Sequence, residues 1–400
     1  MTDDPRLEFL NTMAEALAEY GETSDGIQDG LSRAAAALDV EASFWAVPRA
    51  VFASYGHGNA VRTVLLPTAD PAMDLQALSL LDQTLRSVVQ GRKTAAQGLA
   101  EVRLITVNPI AFPWYMRVLS GGLGAASVTL LLGGGRREMV AAVPVGLAVG
   151  ALILLARNVQ ALSRLVELLA GLLSAALALS LAHWLPAFHV PSVVLAGIIM
   201  LLPGLSITRG VEELADHHLV SGSARLAGAV VTLVNLSFGV AMGYALFATL
   251  RFMPHSVTAS PGSAVLFTAI AIVGMTLALT ISTNSRTGDV LVVRAAVTLA
   301  VLGGRLGSAL VGPTLGVAFA AILVGLGSNL YARLTKRSAA IPQVPGLAVL
   351  VPGALGYRGT STLLHSATGS IQLLGAVFVI AAGLVVGLLI ADATLPARSG

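Results

Sequence analysis

A proline followed by glycine stands at Pro203-Gly204, in IIMLLPGLSITRG, and again 149 positions later at Pro352-Gly353, in LAVLVPGALGYRG. Proline removes a backbone donor from a helix and glycine lets the chain turn away, so each pair predicts a helix broken near its middle. A helix restarted after such a break presents unpaired amides and the positive end of its dipole. Together these attract a carboxylate, the dipole contributing roughly 0.3–2 kcal/mol. Hydroxyls follow each break, Ser206 and Thr208 after the first and Tyr357, beyond Gly356, after the second. They suit the ammonium or hydroxyl of a small solute. The candidate substrate-binding set is therefore Pro203, Gly204, Ser206, Thr208, Pro352, Gly353, Gly356 and Tyr357.

Charged residues near these breaks are the candidates for gating and coupling. Arg209 follows the first break and Arg358 the second, each placed to neutralise a carboxylate, close a gate, or snorkel to an interface. Among the acids, Glu212 and Asp289 are the candidates to carry a proton, although every acid of the apolar region falls near the end of a predicted span. Asn158, Asn235 and Asn329 are the polar residues expected inside the bundle, where interhelical hydrogen bonding accounts for them equally well. Glu213 and His217 share an i, i+4 spacing but belong to no HExxH pattern, and no metal site is expected. Ser54, His57 and Asp70 lack the spacing and the nucleophile elbow of a hydrolase, so the expectation is not an enzyme. Cysteine is absent, which removes disulfide, Fe–S and thiol chemistry.

These residues need a membrane to position them. Apolar residues form 55% of the 400 and charged residues only 11%, with a mean hydropathy of +0.81, far from the roughly 25% charge of soluble domains. The charge divides near Trp114: residues 1–116 hold 14 acidic and 8 basic side chains, and residues 117–400 hold 7 and 16. Basic residues are scattered singly rather than gathered into a stripe, which argues against nucleic acid and for membrane anchoring. Residues 1–30 lack the apolar core of a signal peptide, so the first span is expected to direct insertion.

Residues 1–116 predict a small soluble α+β domain. LEFLNTMAEALAEY and IQDGLSRAAAAL carry helical spacing, SFWAVPRAVFASY and VRTVLLP predict a strand pair around GHGN, and two more helical stretches follow. NPIAFPWY is the linker and interfacial anchor. Beyond it lie ten apolar segments: 117–134, 139–156, 165–185, 190–207, 224–250, 262–282, 291–304, 308–331, 343–357 and 369–391. If the Pro-Gly pairs are equivalent, residues 117–256 and 257–400 form two five-span repeats, and an odd number of spans makes the second inverted. Gly146 with Gly150, and Gly312 with Gly316, are expected to let helices approach closely. With the N-domain inside, ten basic residues face inward and five outward, which favours both termini in the cytoplasm. The fold class expected is thus a membrane all-α bundle of ten helices in two inverted repeats, preceded by a soluble α+β domain.

The soluble domain, the block carrying LLPGLSITRGVEELADHHLVSGSARL and the smaller block carrying LVPGALGYRG resemble the threonine/serine exporter family over nearly the full length. The resemblance implies efflux of threonine, serine or a similar small molecule, driven by the proton motive force with no cofactor, in a bacterial inner membrane. Its partners would be the substrate and the lipid bilayer, with no nucleic acid and a homo-oligomer left open. A dicarboxylate exporter is the alternative within transport, since similar halves on separate chains have been implicated in succinate-like export. A membrane sensor with a signalling N-domain is the alternative outside it.

Overall fold

The computed structural model describes residues 4–68, 73–107, 111–185, 188–249, 264–350, 353, 357–358 and 367–396. The chain opens with α1 (Pro5–Glu19) and α2 (Ser24–Ala37), followed by β1 (Ala42–Val47), β2 (Ala50–Tyr55) and β3 (Arg62–Pro67), then α3 (Leu75–Val89) and α4 (Ala95–Val107). Polar side chains start the helices. Asp4 accepts from the Arg6 amide, Thr23 from that of Gly26, and Asp74 from that of Ala77, each satisfying a donor the first turn leaves over. The strands form one antiparallel sheet in the order β1-β2-β3.

Three strands stand where the sequence predicted a pair. SFWAVPRAVFASY contains two of them, turning at Pro48-Arg49, where Arg49 takes a left-handed φ of 67°. The strand period puts Phe44, Ala46, Val51, Ala53 and Leu66 on the inner, buried face. They join Phe9, Leu10, Met13, Leu31, Leu81 and Val102 in the domain's core.

The remainder is helical. It comprises α5 (Trp114–Leu131), α6 (Arg136–Ala156), a short α7 (Gln160–Ser163), α8 (Val166–Trp184), α9 (Val190–Gly197), α10 (Gly204–Ala215) and α11 (Leu219–Thr249), then α12 (Ala264–Ser282), α13 (Val290–Val311), α14 (Pro313–Thr335), α15 (Ala340–Leu350) and α16 (Ala367–Thr394). Among the described residues, seven helices are long and apolar enough to cross a bilayer. The number is eight if α9 and α10, bent by 45° at their junction, form one broken span. All ten apolar segments are recovered at least in part as helix, but α5 is not among the seven and α15, with 11 residues, is too short to span.

Backbones touch where glycine removes the side chain. A Cβ on Gly239 of α11 would strike the Leu168 carbonyl of α8, and one on Gly146 of α6 would strike that of Gly121 on α5. Gly316 likewise admits the backbone of Gly307 and Ser308. Gly312 does something else: with φ at 85° and open space around its Cβ position, it makes the turn between α13 and α14 rather than a packing contact. Asn158 also departs from expectation, lying exposed in the turn after α6, whereas Asn329 is buried and donates to Asp392 at 2.6 Å across α14 and α16.

The N-terminal α+β domain is seated on one end of the bundle. The Leu75 amide donates to the Thr283 carbonyl at 2.9 Å, Asn284 donates to Asp74 at 2.5 Å, and Arg86 donates to the Lys336 carbonyl at 3.1 Å. The domain's core continues into Val344 of α15, with Leu205 and Ala340 at its edge.

Two outcomes follow from this packing. Gly239→Leu is expected to lower the thermal unfolding temperature of the detergent-solubilised protein, since overpacking costs about 1–3 kcal/mol or more; an unchanged temperature would contradict the α8–α11 contact. Burial pushes the Asp74 carboxyl above its ordinary pKa, outweighing the donors from Ala77 and Asn284 that pull it down. A carboxyl raised in this way binds its proton more tightly when folded, so its contribution is full below the unfolded pKa and is lost as pH rises through the folded value. Asp74→Asn should therefore flatten the fall in unfolding temperature across that window; parallel pH profiles would refute the assignment.

Candidate functional site

The first predicted break is present. After α9 a 3-10 turn, Ile199–Leu201, leads to Leu202 in extended conformation at φ −65°, ψ 126°. Pro203 then caps α10, which begins at Gly204. The Gly204 amide turns back to the Leu202 carbonyl at 2.8 Å and the Ile207 amide reaches Pro203 at 2.9 Å. The amides of Leu205 and Ser206 lie in the first turn, where a helix supplies no carbonyl partner.

Gly353 lies against this break. A Cβ on Gly353 would fall 3.0 Å from the Leu202 Cβ and 3.6 Å from the Gly204 Cα and amide nitrogen. The glycines of the two Pro-Gly pairs, far apart in the chain, are therefore near neighbours in space. Pro352 and Gly356 lie outside the described residues.

Around the break the hydroxyls differ in their commitments. Thr208 is buried, its hydroxyl donating back to the Gly204 carbonyl at 3.3 Å. Ser206 is half-buried, two residues beyond Gly204. Tyr357 is buried in the apolar core of the bundle, with Tyr244 of α11 packed against the same cluster and within electrostatic reach.

The charged candidates are separated. Arg209 donates to the Gly21 carbonyl of the N-domain at 2.8 Å, and Arg358 is exposed. Glu212 is half-buried, within electrostatic reach of Arg209, Asp216, Glu213 and Asp392. Asp289 is buried and held by the Arg337 guanidinium at 2.5 and 2.8 Å.

Glu213 and His217 do not share a helix face, because α10 ends at Ala215 and His217 takes a left-handed φ of 64°. Glu213 is instead buried among Arg225, which donates to it at 2.9 and 3.0 Å, and Ser24 of the N-domain, at 3.1 Å. In the N-domain, Ser54 is paired with Thr63 and His57 with Glu41, while Asp70 lies outside the described residues.

A family model described as "Putative threonine/serine exporter" matches residues 8–247, and one described as "Threonine/Serine exporter, ThrE" matches residues 261–394. The chain belongs to the threonine/serine exporter family. It is 25% identical over 370 residues to pheromone-regulated membrane protein 10 of Eremothecium gossypii, covering 90% of this chain and 50% of that protein. The protein of the same name in Saccharomyces cerevisiae is 24% identical, with 89% and 47% covered. An uncharacterized protein of Schizosaccharomyces pombe is 26% identical over 249 residues, with 60% and 30% covered. All three are fungal, and the chain spans half or less of their length. No solved structure matches.

Sequence reasoning missed the contacts of α10 with the N-domain. Leu205, Arg209 and Glu213 recur every four residues, so a shared helix face was readable, but nothing in their spacing named Gly21 or Ser24 as partners.

The two candidate acids should respond differently to neutralisation. Asp289→Asn leaves Arg337, itself a third exposed, without its carboxylate and is expected to cost up to about 3 kcal/mol of stability in a denaturant titration. Glu212→Gln should leave stability nearly unchanged. Equal losses in both would remove this distinction.

Proposed function

We propose that this protein is a secondary active exporter of threonine, serine or similar small hydroxylated amino acids, coupled to the proton gradient, with its substrate site where the two Pro-Gly breaks meet. The contact of Gly353 with Leu202 and Gly204 carries this reading. Lipid does not tolerate unpaired backbone, so two breaks that face each other inside the protein are where a polar solute finds backbone donors at membrane depth. The first turn of α10 would hold the carboxylate, and Ser206 with Tyr357 the ammonium and hydroxyl. Thr208 would join them by exchanging its bond to Gly204.

The packing supports two five-segment halves of inverted topology. In the first half α8 packs on α11, and α9 on α5, α6 and α8; in the second α14 packs on α16, and α15 on α12, α13 and α14. α10 touches α16, and Tyr357 approaches α11 in the reciprocal position. The N-domain core meets Leu205, after the first break, but Val344, before the second, as expected of segments crossing in opposite directions. α5 and α15 would then complete ten membrane segments with Trp114 and Tyr115 at the N-domain interface. We place both termini in the cytoplasm, with Arg209, Arg225, Lys336 and Arg337 on the N-domain side in keeping with the positive-inside rule. A bacterial inner membrane is the proposed setting.

Counterflow of labelled threonine in proteoliposomes, competed with serine and with succinate, tests the reading with and without a pH gradient. Threonine flux blocked by serine and driven by the gradient is expected. Competition by succinate alone would favour a dicarboxylate substrate, and no flux of either would favour the sensor. Gly353→Leu should insert normally yet lower flux by at least about tenfold, the effect of roughly 1.4 kcal/mol; wild-type flux would remove the contact from the mechanism.

A further inference from the structure

α10 begins at the first break, and the N-domain is fastened along one face of it. Leu205, the residue after Gly204, packs at the edge of the N-domain core. One turn on, Arg209 donates to the Gly21 carbonyl at 2.8 Å. One further turn on, Glu213 accepts from the Ser24 hydroxyl at 3.1 Å. Ser24 also lies 3.0 Å from the hydroxyl of Ser221, near the start of α11, and Ser221 donates to the Ala46 carbonyl of β1 at 3.3 Å. The spacing of Leu205, Arg209 and Glu213 makes this one continuous stripe, while the opposite sides of α10 pack on α11 and α16.

We propose that the N-terminal domain is the gate on its own side of the membrane: docked, it holds α10 over the first break, and it must release Arg209 and Glu213 before the site opens to that side. This rests on the transport reading above. The chemistry of the contacts suits a gate that opens and closes. The partners the N-domain offers to Arg209 and Glu213 are a carbonyl and a hydroxyl, both neutral, which water can replace without stranding a charge. Glu213 stays neutralised after release, because Arg225 lies within the membrane block itself and is bonded to both carboxylate oxygens. The ion pair that does cross this joint, His218 with Asp25 at 3.6 Å, has its carboxylate largely exposed, so water solvates that carboxylate on release. Gly21 itself takes φ 87°, the left-handed turn between α1 and α2 that presents its carbonyl to Arg209.

The absence of native cysteine permits a direct test. Ser24→Cys with Ser221→Cys places two thiols in contact across the joint. Oxidation of this variant in proteoliposomes should lower threonine counterflow by at least about tenfold, restored by a reductant; a cross-linked protein that exchanges as fast as its dithiol form overturns the gate. A second arm does not depend on flux. A thiol at the half-buried position beside the break (Ser206→Cys) should react with a water-soluble maleimide from the N-domain side at least about tenfold faster when Ser24→Ala and Arg209→Leu are added. Equal rates overturn the proposal. Should the unmodified protein carry no solute, the transport reading fails, and the labelling arm alone decides whether the domain covers the break.

Discussion

The structure turns on the requirement that a backbone broken inside a bilayer be enclosed by protein. Pro203 and Gly204 interrupt a segment that begins at Val190, and the interruption cannot face lipid without leaving amides unpaired. Gly353 closes on it so tightly that an added Cβ would stand 3.0 Å from that of Leu202, and the apolar core of the bundle takes in Ile198 and Tyr357 on either side of the junction. Much of the helix packing follows from the same need. Backbones are brought together at Gly121 and Gly146, and at Gly171 and Gly239, so that helices with few polar groups gain contact through close approach.

Polar residues in the membrane block are used sparingly and are tied to specific seams. Glu138 accepts from the amides of Gly135 and His189, holding the starts of α6 and α9 together. Asn329 joins Asp392, Asp289 joins Arg337, and Glu213 joins Arg225. These pairs explain why so many of the acids lie at helix ends. Each is a joint between elements, and of the acids near the break Glu212 is the one whose surroundings mix a cation with several carboxylates.

The N-terminal domain is built into this scheme rather than hung from it. Its core takes in Val344 of α15 and reaches Leu205, beside the first break, so both α10 and α15 are partly covered by a domain that composition had set apart. The charge boundary near Trp114 falls where α5 begins. It was no guide to where packing ends.

Sequence alone determined the membrane class, the ten apolar segments, the first helix break and the family, because hydropathy, proline and glycine act on the backbone locally and leave their mark wherever they occur. The strand pair was read one strand short because Pro48-Arg49 turns a run of β-forming residues without a glycine. Gly312 was read as packing because spacing does not report φ. Only the tertiary structure decided that Gly353 meets Gly204, that Arg209 bonds a carbonyl of the soluble domain, and that Glu213 is shared between Arg225 and Ser24. Apart from the Glu213–Arg225 pair, 12 positions apart, those contacts join residues some 150 to 190 positions apart, and their geometry depends on how whole helices stack, which no local pattern of side chains encodes.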